Sequence, residues 1–284
     1  MPMGLNARNR LIARLNPRPA VRLVKDKEAT KRCLEQADIA TTPTVARFTD
    51  RNTTPEHLVN LPDRWVLKPA RGSQGRGIVV ATGRTTTGWH AAGPGVLSTD
   101  AIVDHITEIV EGRFSGWVSD VAVIEPQLRP TAALAALAPG GLPDVRLVCL
   151  HDRLLLAMAR LPTLASRGRS NLHQGGIGVS LDLVTGRMVR AVHGGRTITT
   201  HPDTDAPLVG PQMSSWTEIV DLARRCSAAT GLGYLGVDIV VDATLGPVVL
   251  EVNSHPGLEI QNVCGQDLAH LAAVRSGRGA ARAA

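Results

Sequence analysis

The chain has 284 residues, 43% of them hydrophobic and 20% charged, enough to bury one large core or two modest ones and too apolar for bulk disorder. Aromatic residues make up only 2%, too few for the stacking platforms of single-strand nucleic-acid binders. The net charge of +6 is concentrated at the start, because residues 1–32 hold nine Arg and Lys against Asp26 and Glu28 and leave the remainder near neutral.

The opening MPMGLNARNRLIARLNPR scatters arginines where a signal peptide needs an apolar stretch, and no apolar run has the length of a membrane span. Residues 1–24 therefore read as a basic arm. DKEATKRCLEQAD (26–38) predicts a helix with Ala29, Cys33 and Ala37 on one stripe. RWVLKPA (64–70) predicts a strand, RGSQGRG a glycine-rich tip, and IVVAT a second strand; residues 83–99 predict a surface loop. Apolar residues at 102, 103, 106, 109 and 110 predict a helix over 100–112, and SDVAVIEPQL (119–128) a strand. TAALAALAPGGLP reads as a loop or short helix. Hairpins are expected around His151-Asp152 and Thr185-Gly186, and a capping box at 215–218 opens a helix that Gly231 stops. Strands GVDIVVD and PVVLEVN follow, then a basic tail, 271–284, expected to be disordered. Cys33, Cys149, Cys226 and Cys264 lie far apart, which suits neither a disulfide framework nor a zinc knuckle and points to a reducing, cytoplasmic setting.

Gly231-Leu-Gly233-Tyr-Leu-Gly236 has the spelling of a dinucleotide fingerprint, but a helix precedes it and a strand follows, the reverse of what a pyrophosphate needs. The stretch 70–77 is more telling. A glycine-rich hairpin tip can fold backbone N–H groups over phosphates. Lys68 stands just before it in an apolar strand, one of only four lysines among 31 basic residues. A half-buried lysine costs desolvation unless an anion meets it.

A second site comes from residues 236–253. A four-residue loop, 243–246, would pair Asp238 with Glu251 and put Asn253 on their face. Two facing carboxylates repel unless a cation lies between them, and an all-oxygen set suits Mg²⁺. A hairpin pivoting on His151-Asp152 would set Arg160 opposite Pro143 and near Asp144, with Arg146 sharing the face of Asp144. These arginines read either as structural ion pairs or as anion handling in phosphoryl transfer. The loop Arg169-Ser170-Asn171-Leu-His173-Gln-Gly175-Gly176 is a further candidate for ligand contacts.

In this order the stretches VKDKEATKRCLEQADIATTP, VLKPARGSQGRGI, VIEPQL, PDVRLV, MARLP, RSNLHQGG and GLGYLGVDIVV…VVLEVNSHPGLE resemble the ATP-grasp superfamily, in particular its ribosomal-protein S6 modification and α-L-glutamate ligase-like branch. The resemblance implies an α+β ATP-grasp fold, two subdomains clamping ATP, with a shortened N-terminal region. It implies a small lid subdomain over 25–128 and a large one over 129–270 that carries the metal site. Lys27 and Lys68 would hold phosphates, Gly72, Ser73, Gln74, Gly75 and Gly77 would form the lid, and Glu125, Gln127 and Leu128 the adenine hinge. Asp238, Glu251 and Asn253 would hold two Mg²⁺ (or Mn²⁺), with Glu251 bridging. Arg146, Arg160 and Arg169 would be catalytic, and Asn171 would contact the nucleotide. The implied activity is carboxylate–amine ligation through an acyl phosphate, with a small-molecule or peptide acid and an amino-acid amine such as glutamate as substrates. Membrane and nucleic-acid partners are not expected; homo-oligomer formation is left open. The basic arm would replace the usual N-terminal domain or contact a partner, and deleting residues 1–20 is expected to spare ATP binding. The rival readings are an Mg-ATP-binding regulator without turnover and a nucleic-acid module using the arm.

Overall fold

The computed structural model describes residues 2–72, 75–93 and 95–275. Its helices are α1 (Leu5–Leu15), α2 (Arg18–Lys25), α3 (Lys27–Gln36), α4 (Thr99–Val110), α5 (Ala132–Ala135), α6 (Trp216–Thr230), α7 (Glu259–Cys264) and α8 (Leu268–Arg275). Its strands are β1 (Ala46–Phe48), β2 (Arg64–Pro69), β3 (Val79–Arg84), β4 (Gly88–Ala91), β5 (Val96–Ser98), β6 (Ala122–Pro126), β7 (Asp144–Leu150), β8 (Arg153–Leu161), β9 (Ile177–Leu181), β10 (Met188–His193), β11 (Arg196–Ile198), β12 (Tyr234–Asp242) and β13 (Gly246–Asn253). The chain divides into two units: residues 26–28 with 42–127, and the remainder.

The smaller unit is an antiparallel sheet in the order β1-β6-β2-β3-β4-β5. Alternation along β2 buries Trp65 and Leu67 on one face, where Ile102, Ile106 and Ile109 of α4 meet them. Ser98 caps α4 by accepting from the Ala101 N–H at 3.2 Å. The expected loop 83–99 instead contains β4 and β5. Their three or four residues are too few to show alternation, and Gly88 is required because a Cβ there would come within 2.0 Å of the Leu97 carbonyl oxygen.

The larger unit is a seven-stranded antiparallel sheet, β11-β10-β9-β8-β7-β12-β13. Leu34 of α3 and Ile219 and Cys226 of α6 cover one face; Ile12 of α1, Ile260 and Val263 of α7 and Leu268 of α8 cover the other. Covered on both sides, β12 is buried along its whole length. The predicted stripe of α3 is one residue out, since Thr30 and Leu34 are the buried positions. The capping box at 215–218 does not form, because Ser215 lies at φ 56° and its side chain makes no cap bond. Gly231, at φ 71°, does end α6.

Both ends of the chain differ from expectation. The basic arm is two helices built into the larger unit, with Met3 and Ile12 in its core. Deleting residues 1–20 would therefore open that core, so the deletion is no longer expected to spare ATP binding. Of the expected disordered tail, residues 271–275 belong to α8, and 276–284 lie outside the described residues.

Each of the two key hairpins carries a bulge. In β12–β13 the loop is three residues, so Asp242 pairs with Gly246 and Ile239 with Val249; an extra residue, Leu250, then restores Asp238 opposite Glu251 and Gly236 opposite Asn253. In β7–β8 a shift at Leu155 places Arg160 opposite Asp144 rather than Pro143.

Tyr234, at the start of β12, is fully buried, its hydroxyl has no hydrogen-bond partner among the described residues, and burial pushes the phenol up to about 12. Tyr234→Phe removes a group that loses its water without replacement, so the thermal midpoint should hold or rise. A clear fall in a melting experiment would contradict this placement.

Candidate active site

Both units carry candidate residues. In the smaller one, Lys68 and Glu125 sit on the neighbouring strands β2 and β6, and the Lys68 Nζ donates to Glu125 Oε2 at 2.6 Å with both side chains largely buried. The pairing supplies the lysine with its counter-charge and fixes its head group. The glycine-rich tip begins beyond Pro69. Gly72 packs on the Pro69 ring, and Gly77, at φ 74°, packs on Phe114, where a Cβ would come within 2.7 Å. Gly75 lies at φ 73° with open space around it. Ser73 and Gln74 fall outside the described residues.

Asp120, which the sequence reading did not single out, anchors the base of this tip. It is buried, and its carboxylate accepts from the backbone N–H of Arg71 at 3.1 Å, from that of Val121 at 2.8 Å and from the Ser115 hydroxyl. A carboxylate opening the apolar run DVAVI was the available signal. Lys27 is half-buried at the first position of α3. Its neighbours are paired, Asp26 with Arg71 at 3.7 Å and Glu28 with Arg47 at 2.5 Å. The Arg64 Nε donates to Gln127 Oε1 at 3.0 Å, and the division between units falls directly after Gln127, so Leu128 packs with Val240 and Val248 in the larger unit.

The larger unit holds a compact charge cluster on one face of its sheet. Strand pairing aligns Arg160 with Asp144, Arg146 with Asp238, and Asp238 with Glu251. Arg146 grips Asp238 with two bonds, Nε to Oδ1 at 2.7 Å and Nη2 to Oδ2 at 2.5 Å. Arg160 grips Asp144 likewise, at 2.6 and 2.8 Å, and its Nη2 also reaches Asp238 Oδ2 at 2.9 Å. Such forks fix the guanidinium planes. Burial would raise the Asp238 pKa, but Arg160 and Arg146 together outweigh it and hold the carboxyl below its usual range. Burial wins at Asp144, whose pKa is raised although Arg160 opposes it. Among the described residues neither arginine has a partner at Nη1, so each presents a pre-oriented donor.

Glu251 is half-buried opposite Asp238 and has no hydrogen-bond or ion-pair partner among the described residues. The Asn253 Nδ2 is buried and has no acceptor among the described residues. Turning that amide over would put an accepting oxygen where the unpaired nitrogen stands. Asp238 keeps one lone-pair site after its three arginine bonds. One free carboxylate, one amide without a partner and one residual carboxylate site on a common face fit a hard, oxygen-seeking cation such as Mg²⁺.

Arg169 and Asn171 are exposed on the loop after β8, and among the described residues they touch no member of the cluster. The Asn171 amide is used locally, accepting from the His173 N–H at 3.1 Å. Gly176 is demanded there, since a Cβ would come within 2.5 Å of the Ser170 carbonyl oxygen.

The sequence matches the family described as sugar-transfer associated ATP-grasp over residues 6–275. A protein named probable alpha-L-glutamate ligase from Xanthomonas campestris pv. campestris (strain B100) is 29% identical over 259 residues, which is 89% of this chain and 66% of that relative. One of the same name from Trichodesmium erythraeum (strain IMS101) is 29% identical over 204 residues, 72% of this chain and 47% of the relative. The chain thus spans about two thirds or less of these relatives' length. A solved structure of the ATP-grasp ligase PsnB, complexed with a phosphomimetic variant of minimal precursor, Mg and ADP, aligns with TM-score 0.51 and 15% identity over 93% of this chain and 62% of that one. That likeness shows the fold, which is α+β and ATP-grasp as the sequence resemblance implied.

Proposed function

The chain belongs to the sugar-transfer associated ATP-grasp family, and from that membership we propose that it is an ATP-dependent carboxylate–amine ligase that forms an amide or peptide bond. The observation that carries the reading is Asp238 facing Glu251 beside two carboxylate-oriented arginines. A substrate carboxylate oxygen attacks the γ-phosphorus of ATP, the bond to the β-phosphate oxygen breaks, and ADP leaves. An amine then attacks the acyl carbon of the acyl phosphate, phosphate departs with the former carboxylate oxygen, and the amine's proton passes to solvent. The Nη1 groups of Arg146 and Arg160 donate to the transferring phosphoryl group, already aimed by Asp238 and Asp144. Lys68 and Lys27 hold nucleotide phosphates, and the backbone at Gly72, Gly75 and Gly77 covers them, with Glu125, Gln127 and Leu128 at the adenine. Arg169 and Asn171 bring contacts from their loop.

Glu251, Asn253 and the remaining lone pair of Asp238 would hold Mg²⁺, two ions with Glu251 shared, and Mn²⁺ in its place. When bound, the metal neutralises charge on the β- and γ-phosphates. Glutamate is the amine favoured by the relatives' name, with a small or peptide acid as the other substrate. The four free thiols suit a reducing, cytoplasmic setting. Among the described residues no helix is long and apolar enough to cross a membrane.

The test is ADP release screened across acids and amino acids, with mass spectrometry of the products. An amide product, formed only when both are present with Mg-ATP, is expected; ADP release without an amide would refute ligation.

Lys68 gives a separate check. Lys68→Met should weaken Mg-ATP binding about tenfold or more, because a charge-assisted phosphate contact is lost. It also removes one member of the 2.6 Å ion pair with Glu125, so Lys68→Met with Glu125→Gln should recover part of any lost thermal stability but not ATP affinity. Calorimetry showing wild-type affinity in the double variant would remove Lys68 from the nucleotide site.

A further inference from the structure

The hairpin that carries Asp238, Glu251 and Asn253 has two ends. At the closed end the Asp242 carboxylate accepts from the N–H groups of Thr244 and Leu245, at 2.8 and 2.9 Å, and fixes the loop. The open end, where β12 starts and β13 stops, is fixed by a residue far away in sequence.

Asn16 lies between α1 and α2. Pro17 follows it and disfavours continued helix, and Asn16 is extended at φ −108° and ψ 105°. It is 6% exposed. Its amide pairs with Tyr234 much as a neighbouring strand residue would: Oδ1 accepts from the Tyr234 N–H at 2.8 Å, and Nδ2 donates to the Tyr234 carbonyl at 2.7 Å. The same Nδ2 lies 3.3 Å from the carbonyl of Ser254, the residue directly after Asn253. One buried amide therefore joins the first residue of β12 to the end of β13. Arg8 adds a bond from Nη1 to the Pro256 carbonyl at 3.2 Å. Pro256 in turn packs over Gly236, where a Cβ would come within 2.8 Å of it.

This joint matters because the register is not uniform. The pairing that leaves the closed end would, if continued without a bulge, set Asp238 opposite Leu250 and turn Glu251 and Asn253 to the other face. The bulge at Leu250 lies between these two ends, and next to it the Val249 N–H donates to the Ala40 carbonyl at 2.8 Å. We infer that Asn16 is a positioning residue for the cation site, keeping β13 in the bulged register that sets Glu251 and Asn253 on the face of Asp238. The inference rests on the reading of those residues as cation ligands, and it gives the N-terminal helices a role beyond filling the core.

The test compares full-length Asn16→Ala and the milder Asn16→Ser with Gln261→Ala. Gln261 is a buried amide that ties Met3 to the start of α8, through Met3 N at 2.8 Å and Leu268 N at 3.0 Å, and it makes no bond to the hairpin. It thus reports the cost of losing a buried amide as such. Two quantities are read: amide hydrogen exchange over residues 247–254, and Mn²⁺ binding with ADP followed by electron paramagnetic resonance. Both Asn16 variants should lose protection in 247–254 and bind Mn²⁺ about tenfold or more weakly, the drop being larger in Ala than in Ser. Gln261→Ala should leave both near wild type. Wild-type exchange in 247–254 for both Asn16 variants, or equal losses in Gln261→Ala, would overturn the positioning role. Faster exchange in a protein whose wild type binds no Mn²⁺ would uphold the joint and refute the cation reading instead. If Asn16→Ala does not fold, Asn16→Ser decides by the same two readings.

Discussion

Glu251→Gln is expected to lower amide-forming turnover by several orders of magnitude while leaving the thermal midpoint almost unchanged. The loss follows because Glu251 is the only carboxylate of the cation set not already held by arginine. Relief of the repulsion between two facing carboxylates would by itself stabilise the variant. The structure shrinks that gain, since Arg146 and Arg160 already neutralise Asp238. Steady-state ADP release and a melting curve on one preparation check both halves. Near-wild-type turnover would remove Glu251 from the chemistry.

Arg160→Met is expected to cost stability as well as turnover. Arg160 is buried between two carboxylates, and removing it takes from Asp144 its one bidentate partner among the described residues. Stranding a buried charge in this way typically costs about 3–5 kcal/mol. The sign of the pH dependence follows from the same contact. Without Arg160 both folded-state carboxyl pKa values move up, so the penalty applies while the groups are ionised and is relieved as they take up protons. The deficit against wild type should therefore shrink as pH falls towards 4, near the ordinary range of these groups. Chemical denaturation at two pH values reads this directly. A deficit that is small, or that grows on acidification, would mean the cluster is not the buried unit described.

The strand geometry of the candidate site was largely legible because strand alternation does not depend on remote contacts. Asp238, Glu251 and Asn253 share a face, as their spacing implied, although the route differs: a three-residue loop would have broken the pairing, and the bulge at Leu250 restores it. Bulges leave little trace in composition, and the bulge at Leu155 likewise moved Arg160 one residue, onto Asp144. The capping box at 215–218 failed for another reason. The spelling was present, but Ser215 takes a left-handed backbone and its side chain makes no cap bond. The N-terminal segment misled most. Its charge suggested a solvated arm, and only folding showed Met3, Ile12 and Asn16 to be interior. Five positions of this segment are buried, Met3, Ile12, Asn16, Ala20 and Val24, and a polar Asn16 and a small Ala20 among the arginines do not mark an apolar stripe. Asp120 was missed because its partners, the Arg71 N–H and the Ser115 hydroxyl, are meaningless until the chain has turned back on itself.

The measurement that bears most directly on the central claim is the fate of the substrate's carboxylate oxygen. The acid that supports ADP release is labelled with ¹⁸O in both carboxylate oxygens and incubated with Mg-ATP and the amine, and the released phosphate is analysed by mass spectrometry. Ligation through an acyl phosphate predicts one ¹⁸O atom in each phosphate and one retained in the amide. Unlabelled phosphate formed at the same rate as ADP would mean that water, not the carboxylate, takes the phosphoryl group, and would contradict the account.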